Sequence, residues 1–147
     1  MALVVYDSNA EAEPEESSSL FDDGVHTPIG LSNQGATCYL NGLLQTLYMT
    51  PEFRWAMLSW NYDREQHGSE EFCIPLQLQK LFGFLMLSKQ KAIDTVGITK
   101  SFGWEGSEVF QQQDVQELTR VLFDALEESF KGTPSEKVLD KMYAGQM

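Results

Sequence analysis

With 147 residues, 42% of them hydrophobic and 12% aromatic, the chain has room for one domain with a sizeable core. A formal net charge of -12 argues against a nucleic-acid partner, which needs a basic surface to replace phosphate counterions, and suits a basic protein surface better. With two cysteines the chain is far from disulfide-dense, no apolar run reaches the length of a membrane span, and no basic n-region or Arg-rich amphipathic leader is visible. A reducing compartment, cytoplasmic or nuclear, is expected.

Residues 1–25 carry seven acidic side chains from Asp7 to Asp23, no Lys or Arg, and the run Ser17, Ser18, Ser19. So few apolar groups cannot offset the entropy of ordering, so a disordered acidic leader is expected there. The composition changes near Val25, and residues 26–147 read as the folded part. Pro28 keeps the entry extended, and Asn33, Gln34 and Gly35 supply loop chemistry.

From Cys38 onward, Leu40, Leu43, Leu44, Leu47 and Tyr48 recur at helical spacing. That helix should end at Thr50-Pro51. Pro51 then opens a second helix capped by Thr50, with Phe53, Ala56, Met57 and Trp60 as its stripe. Residues 61–73 are polar and read as a loop. A third helix follows Pro75, with Leu78, Leu81, Phe82 and Leu85 on one face. Residues 88–106 are mixed, with Gly97, Gly103 and Gly106 breaking any long period. The next helix is the most distinct: Ser107 can cap it, Val115, Leu118, Val121, Leu122, Ala125 and Leu126 face the core, and Gly132 ends it. Residues 135–143 can add a short helix. The fold class is therefore mainly α, with few strands.

The chemistry concentrates in Gly30 to Asn41. A polar, glycine-containing loop delivers Cys38 to the start of an apolar helix. A helix amino terminus presents unpaired N–H groups and positive partial charge. Those features favour thiolate, the nucleophilic form, and the N–H groups can hold an oxyanion. The bland alternative is a small buried hydrophobe, the commoner fate of a lone cysteine. A nucleophile also needs a base. His26 and His67 are the only histidines, and both read better as exposed loop residues.

The stretch GLSNQGATCYLNGLLQ, Gly30 to Gln45, resembles the cysteine box of the ubiquitin-specific protease family, G-L-x-N-x-G-N-T-C-Y-x-N-S-x-L-Q. Gln112 to Leu118, QQDVQEL, resembles that family's Q-x-D-x-x-E-[LF] segment, at the right separation. Leu47–Arg54, Ile74–Phe82 and Ser101–Trp104 extend the resemblance, which covers roughly residues 29–147. It implies a cysteine-type deubiquitinase acting at the ubiquitin carboxyl terminus, with ubiquitin and ubiquitinated proteins as partners and no cofactor. It makes Cys38 the nucleophile and Asn33 a side chain of the oxyanion hole. Asp114 and Glu117 match acidic positions that contact ubiquitin's basic tail, a role suited to charge-assisted bonds to arginine. The fold implied is the helical thumb of a papain-like protease that is α+β when complete.

Three positions depart from the pattern: Ala36 stands where Asn is common, Gly42 where Ser is common, and Gln113 where close relatives have His. The family's catalytic His, its orienting Asp or Asn and its zinc-binding Cys-x-x-Cys pairs lie further along than Met147. The expectation is an incomplete catalytic domain that lacks the palm and fingers, binds no metal and is inactive alone. Two alternatives stand beside it: a non-catalytic ubiquitin-binding or pseudoenzyme module, and a purely structural helical domain.

Overall fold

A computed structural model describes residues 29–34, 37–104 and 115–143. The expected leader at 1–25, His26, Ser107 and Asp114 lie outside these residues. Among the described residues, seven α-helices, one 3₁₀ turn and two short strands occur, so the chain is mainly helical, as its periodicity implies.

β1 (Gly30–Leu31) leads through the glycine-containing loop into α1 (Cys38–Met49). Leu40, Leu44 and Leu47 of α1 are buried, which puts every turn of the helix into the core. The helix stops at Met49, and after Thr50 the next helix, α2 (Pro51–Ser59), opens on Pro51. Thr50 sits between them but does not cap α2 with its side chain. Its hydroxyl donates backward to the Thr46 carbonyl at 2.9 Å, so the expected cap is replaced by a bond to α1. Arg54 of α2 reaches back as well: Nη1 donates to the Tyr48 carbonyl at 3.1 Å, and the guanidinium lies over the Tyr48 ring.

Residues 61–73 are more ordered than a polar loop. They form α3 (Arg64–His67) and a 3₁₀ turn (Glu70–Phe72). Asp63 caps α3, its carboxylate accepting from Glu65 N at 2.8 Å. His67 is half-buried rather than exposed, its ring 4.8 Å from that of Trp60. This one-turn helix is too short to show apolar periodicity, and its aromatic packing comes from outside itself.

α4 (Ile74–Leu87) carries Leu78, Leu81, Phe82 and Leu85 into the core, with Pro75 in its first turn. The stretch after it, expected to be irregular, contains β2 (Ala92–Ile93) and α5 (Val96–Ser101). β2 pairs in parallel with β1, Gly30 opposite Ala92 and Leu31 opposite Ile93. Two residues of strand leave no readable alternation, so only the pairing reveals them.

α6 (Val115–Phe130) buries Leu118, Leu122, Leu126 and Phe130. Val121, expected in that stripe, is 38% exposed. The buried line runs at four-residue steps, and Val121 lies about 100° round the helix from Leu122, past its edge. Gly132, at φ 72°, turns the chain after α6 in the left-handed conformation that glycine adopts without a steric cost. α7 (Val138–Tyr143) follows and packs Tyr143 edge-on against Phe123.

The core is centred where α2, α4 and α6 meet. Phe53 stands edge-on to Phe82 at 5.9 Å and to Phe130 at 6.3 Å, and all three are fully buried. Each such side chain contributes about 1.5–3 kcal/mol of burial.

Candidate active site around Cys38

Cys38 is the first residue of α1 and is exposed. Its backbone N–H belongs to the helix turn that lacks intrahelical partners, and no carboxylate occupies that turn. A negative charge developing beside this helix end therefore meets N–H groups and no opposing acid from α1 itself. Cys73 is the opposite case. It is buried between the 3₁₀ turn and α4, and desolvation pushes its thiol above the ordinary value, against smaller opposing effects of the Leu76 backbone and Lys80.

Asn33, five residues before Cys38 in the chain, is exposed and anchored by Thr37, the residue that precedes Cys38. The Thr37 hydroxyl donates to Asn33 Oδ1 at 2.9 Å and accepts from Gln34 N at the same distance. Thr37 is 3% exposed, so its end of this bond is shielded from water. Holding the Asn33 oxygen leaves the NH₂ as the donating end of the amide, the chemistry an oxyanion hole needs.

Two further amides hold the strand that enters the loop. Asn41 Nδ2 donates to the Ser32 carbonyl at 3.2 Å, and Gln45 Nε2 donates to the Ile29 carbonyl at 3.0 Å. Asn41 and Gln45 are one turn apart on α1, so one helix face grips residues 29–32. Thr37, Asn41 and Gln45 were not singled out as functional from the sequence. The available signal was two amides at i, i+4 inside an otherwise leucine-rich helix.

Gly42, where the box commonly has Ser, has nothing within 4 Å of the position a Cβ would take. The glycine is therefore not required by packing, and a serine would fit. Ala36 and Gln113 lie outside the described residues. Glu117 is exposed in the first turn of α6, where a carboxylate suits the helix dipole. His67 is not placed as a base by any contact to Cys38: its Nδ1 lies 2.9 Å from the Asp63 carbonyl. A cleft of about 480 Å³ is lined by Ala56, Trp60, His67, Phe130, Thr133 and Pro134 among others, and contains neither Cys38 nor Asn33. No group of His, Cys, Asp and Glu able to hold a metal occurs among the described residues. No helix among them is long and apolar enough to cross a membrane.

An exposed cysteine at a helix start, entered through an amide-clamped loop, is an arrangement suited to thiol nucleophiles. The chain belongs to the ubiquitin carboxyl-terminal hydrolase family: the family profile of that description matches residues 29–147. Among curated relatives, it is 46% identical over 140 residues to ubiquitin carboxyl-terminal hydrolase 47 of Xenopus laevis, covering 95% of this chain and 10% of that protein. It is 48% identical over 130 residues to the Homo sapiens protein of the same name, covering 88% of this chain and 9% of that one. Ubiquitin carboxyl-terminal hydrolase 40 of Homo sapiens is 47% identical over 123 residues, 79% of this chain and 10% of the relative. The chain thus spans about a tenth of the length of these relatives.

Proposed function

We propose that residues 26–147 are the nucleophile-bearing, thumb part of a cysteine-type deubiquitinase. The observation that carries this reading is Cys38, exposed at the start of α1 and flanked by an Asn33 amide that Thr37 holds. The Cys38 thiolate attacks the carbonyl carbon at the ubiquitin carboxyl terminus. The helix N–H groups and the Asn33 amide receive the oxyanion as it forms. Collapse of that intermediate expels the amine of the modified protein, which must take up a proton, and water then releases ubiquitin from the sulfur. The base and acid for these proton transfers come from outside the chain's two histidines. Asp114 and Glu117 bind the basic tail of ubiquitin. The compartment is cytoplasmic or nuclear.

One observation favours a second reading, a ubiquitin-binding module without turnover of its own. Of the two histidines, His67 packs on Trp60 with its ring nitrogen at the Asp63 backbone.

The test is a hybrid in which residues 29–147 replace the matching segment of human ubiquitin carboxyl-terminal hydrolase 47, assayed on a fluorogenic ubiquitin conjugate. Turnover that disappears in Cys38→Ala while ubiquitin binding persists supports the first reading. A folded, ubiquitin-binding hybrid without turnover favours the second. Loss of activity in Cys73→Ala but not in Cys38→Ala overturns the nucleophile.

A further inference from the structure

The residues before Cys38 are tied to α5 as well as to α1. The Gln34 side-chain amide lies 2.7 Å from Thr95 Oγ1 and 3.4 Å from Thr99 Oγ1. The Thr99 hydroxyl already donates to the Val96 carbonyl at 3.1 Å, so toward Gln34 its oxygen must accept. That places the NH₂ of Gln34 against Thr99 and its carbonyl oxygen against the start of α5. There the oxygen accepts from Val96 N at 2.9 Å, Thr95 N at 3.3 Å and the Thr95 hydroxyl at 2.7 Å. Thr95 and Thr99 are each 1% exposed, so the α5 ends of these bonds are shielded from water.

The connection continues through the backbone. Gln34 N donates to Thr37 Oγ1, and Thr37 Oγ1 donates its own hydrogen to Asn33 Oδ1. A run of hydrogen bonds thus leads from α5 through Gln34 and Thr37 to the Asn33 side chain. Gln34 N fills one lone pair of the Thr37 oxygen, and the hydroxyl's single hydrogen goes to Asn33 Oδ1. We infer that Gln34 and Thr37 are positioning residues: they hold the Asn33 amide with its NH₂ presented for the oxyanion, using the buried start of α5 as the anchor.

The inference rests on the proposed role of Asn33, and two measurements separate the two claims. The first uses the ¹⁵N-labelled 147-residue chain and reads the order parameter of the Asn33 side-chain NH₂ by relaxation. Thr37→Val should lower it from an ordered value toward the flexible range, below about 0.6, while Thr37→Ser, which keeps the hydroxyl, should preserve it. An unchanged value in Thr37→Val overturns the positioning claim, whatever the activity. The second measures ubiquitin hydrolysis in the hybrid as a double-mutant cycle. Thr37→Val should lower kcat tenfold to a hundredfold, about or below the 10²–10³-fold cost of deleting an oxyanion donor. KM should change little, and Thr37→Ser should restore kcat. In an Asn33→Ala background, Thr37→Val should cost nothing further, because the group it serves is gone. Gln34→Glu, which keeps the accepting oxygen, should retain more kcat than Gln34→Leu. Additive losses in both backgrounds mean a merely structural role and overturn the inference. An Asn33→Ala hybrid with unchanged kcat overturns the oxyanion reading alone, and the order parameter still decides positioning.

Discussion

The Trp60 indole donates to the Ser129 carbonyl at 3.0 Å, joining the end of α2 to the last turn of α6 across 69 residues of sequence. The last carbonyls of a helix have no intrahelical donor, so this indole serves a group that would otherwise face the core edge unpaired. Trp60→Phe keeps a ring in place but removes the donor, and should cost about 1–2 kcal/mol. Trp60→Ala also empties a large buried site and should cost about 3–5 kcal/mol. Urea unfolding checks both: the midpoint should fall in that order with the slope unchanged.

The two thiols should differ sharply in reactivity. Cys38 is exposed and Cys73 is 5% exposed. Iodoacetamide on the folded chain should alkylate Cys38 in preference to Cys73, and denaturant should equalise them. Mass mapping of the labelled peptides reads this directly, and rapid native labelling of Cys73 would show that the α4 edge opens readily.

Burial of Cys73 also makes stability depend on pH. Its thiol is raised in the folded chain above the ordinary value of 9.0, chiefly by desolvation. A raised acid contributes its full stability below the unfolded value and loses it as pH rises toward and through the folded one, because the unfolded thiol ionises first. Urea midpoints should therefore decline as the pH rises through that ordinary value of 9.0. Cys73→Ala should flatten that decline. Tyr62 and Tyr143 shift in the same direction from an ordinary value of 10.0, so measurements kept below that pH isolate the thiol.

Two glycines should respond differently to alanine. Gly83 lies inside α4, and a Cβ there would meet nothing within 4 Å. Gly83→Ala should stabilise by about 0.5–1 kcal/mol through helix propensity. At Gly97 in α5 a Cβ would come 2.7 Å from Gln77 Oε1. The Gln77 side chain would have to move and weaken its bond to the Glu70 carbonyl, so Gly97→Ala should gain nothing. Thermal melts of the two variants against the parent decide the matter.

The 147-residue chain by itself should hydrolyse a fluorogenic ubiquitin conjugate far more slowly than about 1 s⁻¹, the low end of ordinary enzyme turnover. Among the described residues, His67 bonds to the Asp63 backbone and has no contact with Cys38, and a thiol without its base loses most of its rate. Turnover at enzyme-like rates by the chain alone, abolished in His26→Ala or His67→Ala, would identify a base within it.

Much of this molecule was legible as one-dimensional pattern. Leucines at helical spacing marked α1 and α4, Pro51 and Gly132 marked a start and a stop, and the cysteine box put Cys38 at a helix start, because each of these depends on residues within a turn or two of one another. The capping of Thr50, the exposure of Val121 and the elements within 61–73 and 88–101 were not legible. Thr50 spends its hydroxyl on α1, Val121 lies past an edge that only packing defines, and β2 exists because it pairs with β1 some sixty residues earlier. The same holds at the site. The sequence determined which residue could be the nucleophile, whereas the tertiary structure decided what holds its loop: Gln34 meets Thr95 and Thr99 at separations of 61 and 65 residues. A polar side chain carries no period that names its partner, so such bonds become visible only when the chain has folded and brought donor and acceptor together out of water.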